Sequence, residues 1–365
     1  MMAGPSFRAK HCVRYRYAYS ECNRCAEACP HDAIRLFDAG VEVIGELCKS
    51  CALCVAACPT EALTEKSVSA KSLLGIAADD KHLTIACAPS GARGEAVVPC
   101  LGAINAVVLA DFSRRGIAVQ LAGTGHCELC IHAAKGPDLL RLQLAVRATL
   151  CGVGGIVGGI EEWATLSLKD AGSQLSVEDD GHIASRRNLF RRFIGRGIDV
   201  MAEVADAPPA PLQAIRAASP FLPERKEVLN ALYAGLGDKP VRVARHPVLP
   251  AEDMVIVHGC TCCEACVRVC PTGALQLLEN NSGWRVIFLG ERCVACDVCA
   301  EVCQPKVLRR RETEDAGVTK QKARVLRGVP KRRCTRCDRV FAAEGESSIC
   351  PVCSGDDEDF ASIFG

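Results

Sequence analysis

The chain has 365 residues, 49% of them hydrophobic, with 44 basic against 43 acidic side chains. That length allows two or three compact domains, and the balanced charge argues against a nucleic-acid-seeking protein. Cysteine occurs 26 times, on spacings that suit metal ligation better than a disulfide framework.

From the start, Met1 to Lys10 contains no apolar run of the kind a signal peptide needs. Residues 12 to 65 then carry Cys22-x2-Cys25-x3-Cys29-Pro30 and Cys48-x2-Cys51-x2-Cys54-x3-Cys58-Pro59. Three thiolates at two-residue gaps can wrap one face of an iron–sulfur cube. The fourth, before proline, turns to the neighbouring cube. The spacing therefore predicts crossed sets: Cys12, Cys22, Cys25 and Cys58 for one [4Fe–4S] cluster, and Cys29, Cys48, Cys51 and Cys54 for the next. The first run departs from the pattern. Tyr19 stands where its leading cysteine belongs, and Cys12, seven residues earlier, is expected to swing in. Between the runs, Ala33–Phe37 and Val41–Ile44 flank Asp38-Ala39-Gly40, which predicts a hairpin.

The character changes after residue 80. Leu83–Ala86 runs into Cys87, Ala96–Val98 leads to Cys100, Leu101–Arg115 is helical, and Ile117–Leu121 leads to Cys127 and Cys130. This alternation predicts an α/β unit with parallel strands. Ligands of such sheets gather at the carboxyl ends of strands, where all four cysteines lie. They could hold a [2Fe–2S] cluster, a zinc ion or a disulfide pair. Asp138–Leu150 reads as an amphipathic helix, and Pro223–Leu236 as another. Arg186–Phe193 is basic and resembles a twin-arginine signal. Without a following apolar region it reads as a solvated helix face. Ala207–Pro211 reads as a linker.

Residues 251 to 308 repeat the first plan with Cys260-x2-Cys263-x2-Cys266-x3-Cys270-Pro271 and Cys293-x2-Cys296-x2-Cys299-x3-Cys303, separated by a second hairpin. The crossed sets are Cys260, Cys263, Cys266, Cys303 and Cys270, Cys293, Cys296, Cys299. The last run ends Cys303-Gln304-Pro305, with proline one place late. Lys306–Arg333 is strongly basic and is expected to be flexible. Cys334-x2-Cys337 and Cys350-x2-Cys353 close the chain as two knuckles of a zinc ribbon, with rubredoxin-like iron using the same ligands. Cys151 and Cys262 fit no ligand slot. His31 and His82 read as loop or cap residues; His126 is singled out because it adjoins Cys127.

Both double runs resemble the bacterial dicluster ferredoxins, over roughly a third of the chain. Val98-Pro99-Cys100-Leu101-Gly102 and Gly123 through Cys130 are similar to the delta-subunit family of methyl-viologen-reducing hydrogenases. That resemblance implies a [2Fe–2S] cluster on Cys87, Cys100, Cys127 and Cys130. It also implies electron exchange between a hydrogenase or formate dehydrogenase and a partner.

The expected architecture is α+β and multidomain. It comprises a ferredoxin module (1–68), a central α/β domain (80–155), a helical connector (156–250), a second ferredoxin module (251–312) and a metal-stapled ribbon (330–360). No pyridine-nucleotide, phosphate-loop or flavin fingerprint is present, so no catalytic residue is assigned. The expected function is single-electron relay in the cytoplasm, where thiols stay reduced, with oxidoreductase subunits as partners and no nucleic acid or membrane span. The competing readings are an accessory protein for metalloenzyme maturation and a reductase acting on disulfides.

Overall fold

The computed structural model describes residues 4–76, 81–154, 166–169, 214–234, 241–260, 262–313, 315–317, 323–342, 347–350 and 352–354. The chain divides into two units. One comprises Met1–Ala171 with Ile215–Gly365. The other, Gly172–Ala214, lies outside the described residues save for Ala214. The basic segment Arg186–Phe193 and the linker Ala207–Pro211 therefore lie outside them too.

The fold is a mixture of short helices and several small sheets. The first cysteine runs flank an antiparallel hairpin of Ile34–Phe37 with Gly40–Val43, in register Ile34 to Val43 and Phe37 to Gly40. Gly40 sits at a left-handed φ of 138°, where an added Cβ would lie 2.5 Å from the Phe7 ring. Glycine is thus required by both backbone and contact. The second hairpin pairs Leu275–Asn280 with Gly283–Phe288. Its turn is closed by Asn280 Oδ1, which accepts from the backbone N–H groups of Ser282 and Gly283. That side-chain turn lets both strands run further.

Between the modules a four-stranded parallel sheet forms, as the alternation predicts. Its order is Ala96–Val98, His82–Cys87, Ala118–Ala122, Leu166–Lys169. Leu83, Ile85, Val98 and Leu121 are buried in one cluster with Leu101, Ile104 and Leu109. The stretch expected as one helix is broken. Leu101–Ala103 is a single 3-10 turn, and Asn105 caps the true helix, Ala106–Arg114, by accepting from the Val107 N–H. The later helix runs Gly136–Gly154, and the connector helix is Glu224–Leu232. Among the described residues no helix is long and apolar enough to cross a membrane.

The expectation of a flexible stretch from Lys306 to Arg333 is corrected over its described parts; residues 314 and 318–322 lie outside the described residues. Leu308–Arg310 pairs with Met254–Ile256, and Arg324–Arg333 pairs with Gly283–Phe288 and with Val340–Ala342. Its arginines are drawn onto two buried carboxylates. Asp253 accepts from Arg311 at 2.9 Å and from Arg324, and it pairs with Arg242 at 3.5 Å. Glu252 pairs with Arg245 at 2.7 Å and Arg310 at 3.3 Å. Arg310 also reaches Asp297, which binds Arg24 at 2.8 Å, so the network runs from the second cysteine-rich half to the first.

Burial alone would push the Asp253 carboxyl up, but hydrogen bonds and charge from Arg324 and Arg311 outweigh it, leaving it below its usual range. A depressed carboxylate adds stability that is present above its unfolded pKa and is lost as pH falls through the folded value. Asp253→Asn should therefore cost about 3 kcal/mol at neutral pH. In denaturant titrations its deficit against the parent should shrink as pH drops below about 4.

Candidate metal centres

The last cysteine of each run acts on thiols of the other run of its module. The thiols that act electrostatically on Cys12 and Cys25 are Cys58 and Cys22, and Cys12 also acts on Cys25. Those acting on Cys51 and Cys54 include Cys29 and Cys48. In the second half Cys266 faces Cys260, Cys263 and Cys303, while Cys296 and Cys299 face Cys270 and Cys293. Four cages of four thiols result. Cys12 joins the first because it ends a 3-10 turn and opens the helix Val13–Arg16, which brings it in beside Cys22 and Cys58.

The cages recur because the backbone recurs. Left-handed residues stand three places after every crossing cysteine: Asp32 (φ 51°), Glu61 (49°), Gly273 (67°) and Lys306 (53°). The turn brings the fourth following N–H onto the sulfur, from Ala33 to Cys29 at 3.4 Å, Ala62 to Cys58 at 3.3 Å and Ala274 to Cys270 at 3.3 Å. Lys306 keeps this register although Pro305 is displaced. A second left-handed set, Ser50 and Ala52, Cys262 and Glu264, Ala295 and Asp297, winds the leading cysteines of three runs. The first run lacks it, which is the structural counterpart of Tyr19 replacing a cysteine. Cys262 occupies the same slot as Ser50 and Ala295, so its thiol is an addition to the repeat. It hydrogen-bonds Cys260, an interaction that, with burial, pushes it up.

The donor chemistry fits a shared polynuclear group. The sets contain sulfur only, and burial, with repulsion from neighbouring thiols, pushes Cys12 up to about 11 and Cys25 and Cys266 to about 12. Such thiolates need a compensating positive centre. Among the described residues, only two donor groups of three or more bring all their ligand atoms within 4.8 Å of one another. They are Cys334, Cys337, Cys350, Cys353 and His31, Cys51, His132. The four cages are therefore wider than a single ion's shell.

Cys87, Cys100, Cys127 and Cys130 meet at the carboxyl end of the parallel sheet, lining one cavity with His126, His132 and Gly136. Glycines make the room. A Cβ at Gly123 would meet Ser90 Oγ at 2.1 Å, one at Gly102 would meet the Gly136 carbonyl at 2.5 Å, and one at Gly136 would stand 3.1 Å from Cys100 Sγ. Cys100 is pushed up to about 12 by burial and then by Cys87, Cys51 and Cys127. Cys51 belongs to a neighbouring cage, so the two sites adjoin.

Sequence reasoning missed His132. It packs edge-on against His31, with Nε2 of His31 and Nδ1 of His132 2.9 Å apart, bridging the first ferredoxin-like half and the central cavity. Burial, then the charge of His31, lowers His132 to about 4. No spacing rule joins residues a hundred positions apart; only the fold does. His82 is exposed at a strand start, and Cys151 lies half-buried on its helix near Arg147, outside every cage.

The terminal sulfurs form the compact set. Cys337 and Cys350 Sγ are 3.7 Å apart, close to the ~3.8 Å that tetrahedral sulfurs at 2.3 Å from one metal require. Cys350 donates its N–H to Cys334 Sγ at 3.3 Å, the leading reason why Cys334 is lowered to about 6.

With this geometry in view, residues 20–62 match the family described as 4Fe-4S dicluster domain. No curated protein matches the chain. The chain thus has iron–sulfur, ferredoxin-like and metal-binding character, which points to electron transfer. Cys350→Ser should remove about one metal ion per chain, by elemental analysis, and leave the visible iron–sulfur absorption unchanged.

Proposed function

We propose that this chain is a multi-centre electron-transfer protein relaying single electrons to or from a cytoplasmic oxidoreductase, of formate dehydrogenase or hydrogenase type. It holds four [4Fe–4S] clusters, one [2Fe–2S] cluster and a structural zinc. The observation that carries the reading is the recurrence of one crossed, sulfur-only cage four times on a repeated left-handed backbone.

In this reading Cys12, Cys22, Cys25 and Cys58 hold one cubane, and Cys29, Cys48, Cys51 and Cys54 the next. Cys260, Cys263, Cys266 and Cys303 hold a third, and Cys270, Cys293, Cys296 and Cys299 the fourth. When bound, these groups supply one-electron chemistry. The protein's part is to bury the thiolates, satisfy sulfur with backbone N–H and set the sites side by side. Proximity supports such a path, since Cys54 feels Cys25 within the first half and Cys299 feels Cys266 within the second. Cys87, Cys100, Cys127 and Cys130 are assigned [2Fe–2S] over zinc because their sulfurs spread wider than a mononuclear shell, unlike Cys334, Cys337, Cys350 and Cys353. Leu129 and Ile131, exposed at 84% and 67% beside Cys130, give the central site an apolar margin suited to contact with a partner subunit.

Anaerobically purified protein should contain on the order of 16 to 18 iron atoms. A value near eight after full reconstitution would sink the ligand assignment. The double change Cys127→Ser with Cys130→Ser should remove about two of those atoms and slow reduction of a partner, with cubane resonances intact. Unaltered iron and unaltered rate would instead make the central domain a scaffold, as in an accessory protein.

A further inference from the structure

Two cations are fully buried in the described structure, and neither has a carboxylate hydrogen-bonded to it. Arg16 is 0% exposed and spends its guanidinium on three main-chain carbonyls: Lys10 at 2.8 Å, Ala218 at 3.0 Å and Ser219 at 2.8 Å. Lys226 is also 0% exposed and donates to the Pro250 carbonyl at 2.9 Å. Carbonyl dipoles orient a charge but do not neutralise it, and an unpaired buried cation is costly. Arg225, beside Lys226, makes the contrast. It too is buried, but it pairs with Glu61 at 3.1 Å.

What faces the two unpaired cations is one cage. The cage thiols that act electrostatically on Arg16 are Cys270 and then Cys296; the one that acts on Lys226 is Cys293, ahead of the Glu291 carboxylate. The backbone explains the approach. The segment whose carbonyls bind Arg16 continues to Phe221, whose N–H donates to the Pro271 carbonyl at 3.1 Å, next to Cys270. From the connector helix, Asn230 donates to the Glu291 carbonyl at 2.9 Å, two residues before Cys293. Arg16 comes from the first half and Lys226 from the connector, so two buried cations reach the cage from outside its own module, against the Glu252 and Asp297 carboxylates that act on Cys293 and Cys296. The other three cages have no fully buried cation of this kind among the described residues; Arg24, beside Cys22, is paired with Asp297.

We propose that Arg16 and Lys226 are electrostatic tuning residues that raise the reduction potential of the site held by Cys270, Cys293, Cys296 and Cys299 above those of the other three cubane sites. The reason is elementary. Reduction adds one negative charge, burial opposes that addition, and a fixed cation held in low dielectric favours it. An electron distributed over the four sites then rests at the one that adjoins the first half. This rests on the cubane reading given above.

The test is a potentiometric titration of the anaerobic full-length protein, followed by electron paramagnetic resonance. In Arg16→Gln and in Lys226→Gln, the most positive cubane midpoint should fall by ~59 mV, a tenfold shift in the one-electron equilibrium. The other three midpoints should stay in place. Arg16→Lys and Lys226→Arg, which keep the charge, should stay near the parent value. Midpoints that do not move in variants with full iron overturn the proposal, as does an equal shift of all four. Loss of about four iron atoms from the charge-retaining variants as well as the glutamine variants would make the two residues packing elements and overturn it too. The underlying reading is tested separately: if Cys293→Ser with Cys296→Ser leaves parent iron content unchanged, the cage holds no cubane.

Discussion

The structure depends on one electrostatic constraint: sulfur groups packed so closely that their thiolates repel one another. Four cages, a central set and a terminal set bring 24 of the 26 cysteines together. Cys25 and Cys54 in the first half and Cys299 in the second carry the effect: burial, then the charge of neighbouring thiols, destabilises each as an anion. A chain that collapsed on such groups without positive centres would lose much of its stability to desolvation. Short helices of four or five residues and two-stranded hairpins cannot fold alone. The bound metal groups and the fold are therefore mutually dependent.

The same accounting extends outward to the protein's own cations. Arginine recurs wherever the backbone leaves a carboxylate or a sulfur cage buried. Glu252 and Asp253 gather five arginines between them, and Arg24 joins Asp297 across the two halves. The near-neutral total of the polypeptide hides this. It pairs its acids with its own bases, while cubanes of about −2 each would leave the loaded protein acidic by several units.

Much of this was legible in the sequence because cysteine spacing maps directly onto backbone turns. Cys-x2-Cys-x2-Cys runs followed by a crossing cysteine recur on one backbone turn, with Asp32, Glu61, Gly273 and Lys306 each left-handed three places after the crossing cysteine. Strand-ending cysteines predicted the central site because parallel strands align their carboxyl ends. What the sequence hid was long-range. The His31–His132 contact, the burial of Lys226 and the pairing of the strands Leu308–Arg310 and Arg324–Arg333 all depend on partners that no local period announces. Basic runs ordinarily read as solvated. Here two acidic residues adjacent in sequence, Glu252 and Asp253, reverse that reading.

One feature bears on how the chain ends. Arg324–Arg333 is a single ten-residue strand. Its inner part lies on the second hairpin, with Val329 opposite Trp284, and its outer part pairs with Val340–Ala342 just before Cys334. Lys331 sits at the junction, 5.0 Å above the Trp284 ring and paired with Glu279. The terminal sulfur set is thus the far anchor of a girder, not a pendant. Loosening those four sulfurs would free one end of a beam whose other end braces the second hairpin, so the rigidity of that hairpin depends on side chains well beyond it in the sequence.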